Sequence, residues 1–183
     1  LDGGAGSDVL NGGAGIDTIS YAGSNAAVTV NLATSTASGG DATGDTCTSI
    51  ENVTGSHFAD TINGSAGANV LDGGAGDDVL AGRGGADTLI GGAGSDTATY
   101  AASGAVTINL ATNTASGGDA AGDTFDSIEN VTGSNAADTM TGNAGANILE
   151  GGAGDDLLAG GAGADVLDGG AGTDTATYAA SAA

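Results

Sequence analysis

Eight aspartates of this chain share one setting: each closes a glycine-rich stretch of the form Gly-Gly-x-Gly-x-Asp and is followed by x-U-x, with U aliphatic. Gly3-Gly4-Ala5-Gly6 leads to Asp8, Gly12-Gly13-Ala14-Gly15 to Asp17, and Gly73-Gly74-Ala75-Gly76 to Asp78. Gly91-Gly92-Ala93-Gly94 leads to Asp96, Gly151-Gly152-Ala153-Gly154 to Asp156, Gly160-Gly161-Ala162-Gly163 to Asp165, and Gly169-Gly170-Ala171-Gly172 to Asp174. Gly82-Arg83-Gly84-Gly85 leads to Asp87, with an arginine in the second place. Glycines permit positive φ, so such a loop can turn several carbonyl oxygens inward and leave room at its centre. A carboxylate at its end adds charge. Inward carbonyls with one carboxylate are the donor set of a hard divalent cation such as calcium, which takes roughly six to eight oxygens and accepts both kinds.

The last three positions of each nine-residue unit read as a very short strand with U pointing inward. Two units then make one coil of about 18 residues with a loop on each side, a stacked-repeat architecture. Loops two units apart become neighbours, and an ion fits between each pair.

A longer period lies over the short one, since Asp96 to Asp174 and Val28 to Val106 both span 78 residues. The chain divides into a partial repeat block at 1–20, a spacer at 21–54, five units at 55–99, a spacer at 100–132, five units at 133–177, and the start of a third spacer at 178–183. One continuous solenoid is expected. The first units of each full block are degenerate: Gly55–Asp60 and its counterpart ending in Asp138 keep the carboxylate, whereas Asn69 and Asn147 stand where an aspartate belongs. Asp60 and Asp138 are therefore the weaker ligand candidates. Within the spacers, Val28–Leu32 and Val106–Leu110 alternate apolar and polar residues, and Ser49–Val53 and Ser127–Val131 read as a second short strand. Nothing shows a helical period.

The composition fits a chain that cannot fold unaided. Against 23 acidic residues stands one cation, for a net charge of −22, with 38 glycines and 3% aromatics. Such self-repulsion opposes compaction, and low aromatic content with high charge is otherwise the signature of disorder. Nucleic acid and anionic membrane surfaces are excluded as partners on the same electrostatic ground. No run of about 18 apolar residues is present to span a membrane. One cysteine, Cys47, and one histidine, His57, are too few for a zinc site of about four N/S ligands. The chain opens on the last two positions of a nonapeptide and stops inside a further unit, so it reads as an excerpt from a longer protein.

The repeats, and the Val-Asn-Leu-Ala-Thr and Ile-Glu-Asn-Val-Thr-Gly segments between them, resemble the RTX (repeats-in-toxin) calcium-binding β-roll family. Serralysin-type proteases, mannuronan epimerases and large bacterial RTX adhesins carry it. The resemblance implies an all-β, right-handed parallel β-roll with irregular coils at the spacers, and several stacked Ca2+ ions as its cofactors. It implies that carbonyls of the first and third loop positions face one ion and those of the second and fourth the next. Asp8, Asp17, Asp78, Asp87, Asp96, Asp156, Asp165 and Asp174 bridge them, and the Arg83 carbonyl coordinates while its side chain points away.

The resemblance also implies a secreted or cell-surface bacterial location and type I export in the unfolded state. The expected function is a non-enzymatic structural segment of a larger adhesin, surface-layer or fibre-like protein. The alternative is the accessory C-terminal module of an exported protease, lipase or polysaccharide epimerase. Partners are then calcium and neighbouring repeats of the same chain, with self-association or a surface or glycan ligand belonging to the parent. Paired acids such as Asp77-Asp78 do not indicate glycosidase chemistry, because every loop repeats them. Tyr21, Tyr100 and Tyr178 are expected to plug the end of the roll, and Cys47, standing where the second copy has Phe125, to fill core space.

Overall fold

The computed structural model describes residues 1–178, so the rest of the expected third spacer, 179–183, lies outside the described residues. Twenty strands follow one another: β1 (Val9–Asn11), β2 (Thr18–Ser20), β3 (Thr29–Asn31), β4 (Thr36–Ser38), β5 (Thr46–Thr48), β6 (Asn52–Thr54), β7 (Thr61–Asn63), β8 (Val70–Ala75), β9 (Val79–Ala81) and β10 (Thr88–Ala93) form the first half. β11 (Thr97–Thr99), β12 (Thr107–Asn109), β13 (Thr114–Ser116), β14 (Thr124–Asp126), β15 (Asn130–Thr132), β16 (Thr139–Thr141), β17 (Ile148–Glu150), β18 (Leu157–Ala159), β19 (Val166–Asp168) and β20 (Thr175–Thr177) complete it. Two short 3-10 turns, Gly40–Ala42 and Gly118–Ala120, are the helical segments among the described residues.

Most strands are short because a unit gives three residues to the sheet; β8 and β10 alone run to six, continuing into the glycines that follow. The middle one faces inward: Leu10, Ile19, Ile62, Leu71, Leu80, Leu89, Ala98, Met140, Leu149 and Leu158 are all buried. Parallel pairs are offset by 18 residues within a block, as in Leu71↔Leu89, Leu80↔Ala98 and Leu149↔Leu167. The inner face is thus one file of aliphatic side chains per sheet, stacked along the axis. This is the parallel β-roll expected from the sequence.

Each spacer contributes three strands to one face. In the first, β3 and β4 form an antiparallel hairpin and β4 pairs β5, giving the order β1-β5-β4-β3-β7. The opposite face receives only β6 between β2 and β8. In the second spacer the same triplet, β12, β13 and β14, joins the sheets of the other face, between β10 and β16. The alternation follows from the odd number of nonapeptides per block, since strands alternate faces one unit at a time. Each spacer widens one face by two rungs, and the next spacer widens the other. The second spacer strand starts later than its apolar pattern suggested, at Asn52 and Asn130, because the residues before it form a turn.

Tyr21 and Tyr100 are inside the stack rather than over its end, each only 3% exposed. Their hydroxyls donate to Asp45 Oδ2 at 3.0 Å and Asp123 Oδ2 at 2.8 Å. Burial, reinforced by the neighbouring aspartate, raises both phenols above their usual range. Tyr178 is exposed at the end of the described chain. Cys47 and Phe125 do occupy equivalent inward positions, opposite Leu10 and Leu89. A Tyr100→Phe exchange strands the buried Asp123 oxygen, at a cost of about 1–3 kcal/mol. Differential scanning calorimetry in saturating calcium should show that loss as a lower melting temperature.

Candidate metal centre

The glycine-rich loops join the two faces, and their backbone takes the conformation that glycine permits. In the unit beginning at Gly73, Gly74 has φ 99° and Gly76 φ 113°, and the same pattern recurs at Gly92 and Gly94 and at Gly152 and Gly154. Arg83 holds the second position at φ 66° with its side chain exposed, so the arginine takes the glycine's conformation. The first glycine matters for room: a Cβ on Gly73 would collide with Asp78 Oδ2, and one on Gly82 with Asp87 Oδ2.

Six of the loop aspartates, those with a coil before them, divide their two oxygens between two tasks. One oxygen accepts the backbone N–H of the sixth-position residue one coil earlier. Asp78 Oδ1 takes the Asp60 N–H at 2.7 Å, Asp96 Oδ1 the Asp78 N–H at 2.8 Å, and Asp156 Oδ1 the Asp138 N–H at 2.8 Å. Asp87 and Asp165 accept from Asn69 and Asn147, and Asp174 from Asp156. The other oxygen is left over. Oδ2 of Asp8, Asp17, Asp78, Asp87, Asp96 and Asp156 is buried without any hydrogen-bond donor. Six carboxylates with the same atom orphaned in the same place fit a cation as partner, since a buried charge needs one.

Among the described residues no three His, Cys, Asp or Glu side chains converge. A cation here must therefore draw most of its oxygens from the backbone, with one carboxylate from each loop. Calcium tolerates that mixture, so the residues fit the ion that the sequence pattern implies.

The degenerate units differ in the way that matters. Asp60 Oδ2 accepts the Ser56 N–H, and Asp60 Oδ1 accepts from Val28 N at 2.7 Å and Ser56 Oγ at 2.9 Å. Asp138 repeats this with Ser134 and Val106. Both carboxylates are filled by donors and anchor the entry into the spacer hairpin. Asn69 Nδ2 and Asn147 Nδ2 donate to the carbonyls of Glu51 and Glu129 at 2.6 Å, so an N–H group stands where the other loops have a bare carboxylate oxygen.

Four acidic residues of the ladder were missed in the sequence. Asp45 and Asp123 accept the N–H of Asp8 and Asp87 at 2.8 and 2.9 Å, and Glu51 and Glu129 accept that of Asp17 and Asp96 at 2.9 and 3.0 Å. The signal available was their recurrence in both spacers, in Gly-Asp-Thr and Ser-Ile-Glu-Asn.

The profile of the RTX calcium-binding nonapeptide repeat (4 copies) matches residues 1–20, 54–89, 63–98, 123–158, 132–167 and 141–176, more than half of the chain. This chain belongs to the RTX calcium-binding repeat family. No curated protein matches it. RTX nonapeptides bind calcium, the hard cation that the donor set of these loops fits.

The metal-free roll should be stabilised by acid. Desolvation is the main cause that pushes the Asp78 and Asp87 carboxyls up to about 7, from a usual 3.8. A carboxyl raised on folding contributes stability that is complete below its unfolded pKa and lost as pH rises through the folded one. In chelator, the RTX roll is therefore expected to be more ordered near pH 5 than at pH 8, protons standing in for calcium. Far-ultraviolet circular dichroism reads this directly, and equal disorder at both pH values would contradict it.

Proposed function

We propose that this RTX chain is a calcium-rigidified structural segment of a larger secreted or cell-surface bacterial protein of the adhesin, surface-layer or fibre type. The reading rests on one observation: the same buried aspartate oxygen lacks a partner in six loops of a chain with net charge −22. Asp8, Asp17, Asp78, Asp87, Asp96, Asp156, Asp165 and Asp174 are the carboxylate ligands on this reading, together with loop carbonyls that include that of Arg83. Asp60 and Asp138, whose oxygens are filled by N–H and hydroxyl donors, serve as anchors for the spacers. The segment supplies stiffness and length rather than catalysis.

Two features support a load-bearing role in an extended protein. Stacked repeats touch only their neighbours, so length grows by addition. The long unit of 78 residues recurs with its spacer hairpin rebuilt on the opposite face, which keeps the widening of the two faces balanced over every pair of units. No helix among the described residues is long and apolar enough to cross a membrane. Folding driven by extracellular calcium suits a chain exported unfolded.

Small-angle X-ray scattering tests the proposal. In chelator at pH 8 the 183-residue chain is expected to have a radius of gyration of about 45 Å, falling below about 20 Å in millimolar calcium. The calcium form should scatter as a rod, because ten strands a face at about 4.8 Å each give a stack of roughly 45 Å. A flexible coil in both conditions would end the structural reading.

A further inference from the structure

The calcium ladder need not stop where the nonapeptides stop. After Asp17 and after Asp96, the next coil on that side is a spacer, and its turn is only three residues long: Ser49-Ile50-Glu51 in one copy and Ser127-Ile128-Glu129 in the other. These turns sit in the register of a whole six-residue loop. Gly12 N donates to Thr48 O, as Gly55 N donates to Asp72 O and Gly151 N to Asp168 O. Ser49 and Ser127 thus stand where the first glycine of a following nonapeptide would stand. The strand that follows, β6 or β15, then begins at the position equivalent to Val70 or Ile148.

Three details make the short turn a functional copy of the long one. First, Glu51 and Glu129 take the place of the bridging aspartate, with Oε2 accepting the N–H of Asp17 and Asp96. The extra methylene of glutamate makes up for the three missing residues. Second, Ser49 and Ser127 have φ 52° and 53°, a conformation that costs a side-chain-bearing residue free energy and is kept here in both copies. Third, that conformation sets their carbonyl oxygens in the place of a glycine carbonyl. A Cβ on Gly91 would collide with both Ser127 O and Asp96 Oδ2, just as one on Gly151 would collide with Asp156 Oδ2 and press on Gly169 O. A Cβ on Gly12 would meet Ser49 O and the Asp17 side chain. Asp96 itself is 0% exposed, and its Oδ2, like that of Asp17, has no hydrogen-bond partner. The isoleucine between serine and glutamate is buried in each copy, fixing the turn to the core.

We propose that each Ser-Ile-Glu turn completes a further divalent-cation site, taking calcium between it and the preceding nonapeptide loop. Asp96 Oδ2, the Ser127 carbonyl and the Glu129 carboxylate furnish oxygens for one, and Asp17, Ser49 and Glu51 for the other. Tight coupling between spacer and block follows, because the ion at each junction belongs to both. The proposal rests on the reading that nonapeptide aspartates hold calcium, and its test separates the two.

Bound calcium per chain is measured by equilibrium dialysis at millimolar free calcium, with circular dichroism on the same samples. A Glu51→Gln/Glu129→Gln chain keeps an amide oxygen for the two N–H groups but loses the charge, and is expected to bind two fewer ions than the parent while retaining its strand signal. Asp78→Asn/Asp156→Asn reports on the nonapeptide sites and should lose ions too. Glu150→Gln, an exposed carboxylate bonded to Thr132 Oγ1, controls for charge alone and should lose none. If the glutamate double variant binds as many ions as the parent while the aspartate variant loses them, the junction sites are overturned and the nonapeptide reading stands. If neither loses ions, both fall. Should the double variant not regain the parental spectrum, Glu129→Gln alone replaces it, with one ion lost as the supporting result and none lost as the refuting one.

Discussion

Stripped of divalent ions at pH 8, the chain is expected to lose its strand signal in circular dichroism, and to regain it steeply between about 0.1 and 1 mM calcium. The argument is one of mass action. A site with a dissociation constant near 10⁻⁴ M, ordinary for extracellular modules, gains about 1.4 kcal/mol at 1 mM calcium. The six loops with an orphaned aspartate oxygen then contribute roughly 8 kcal/mol in all. That is the size of an entire domain's stability, which runs at about 5–15 kcal/mol. At submicromolar calcium the contribution falls close to zero, while the buried carboxylates remain unpaired and the net charge of −22 remains uncancelled. Because every ion is shared by stacked loops, binding one orders the seat for the next, and the transition should be far steeper than single-site binding. A spectrum equally rich in strand with chelator and with calcium at pH 8 would refute this account.

How much of this was readable beforehand divides along the repeat. The nonapeptide carries its own instructions, a glycine at each positive φ except Arg83, a carboxylate at the sixth place and an inward aliphatic at the eighth. Hence Leu71, Leu80, Leu89, Leu149 and Leu158 could be placed in the core from spacing alone. The spacers were harder because they do the same work with different residues. Ser127 adopts a glycine's conformation, and Glu129 does an aspartate's task from a turn half as long. Strands β4 and β5 are Thr-Ala-Ser and Thr-Cys-Thr, too small and polar to announce themselves by hydropathy.

The tyrosines illustrate the same difficulty. Recurrence of Tyr21 and Tyr100 at block ends suggested a plug, whereas the hydroxyl of each is a donor supplied to a ladder aspartate that itself lies in a spacer, outside any nonapeptide loop. A hydrogen bond fills there the oxygen that has no donor in the nonapeptide loops. Only the alternation of faces was implicit in arithmetic, since five is odd, and using it required knowing that all three spacer strands stay on one face.

Leu89→Ala should cost about 2–5 kcal/mol, the largest effect expected of any single substitution here, and its signature in a calcium titration is distinctive. Leu89 is fully buried in β10, in register with Leu71 on one side and Phe125 on the other. Its file is one side chain thick, so no second layer can move in to close the cavity. Yet with six ions taken up in one transition, a loss of about 3 kcal/mol raises the calcium midpoint only two- to three-fold, because the deficit is spread over all the ions. The steepness should not change, since no ligand has been removed. A ligand variant such as Asp96→Asn should do the opposite, flattening the transition by deleting an ion from it. Calorimetry of Leu89→Ala in calcium adds a second criterion. β10 bonds to β14 and β11 to β15, and from the same spacer β12 bonds to β16 and β15 to β17, coupling the two blocks. One shifted peak is therefore expected, and two resolved peaks would show that the spacer separates the blocks instead of joining them.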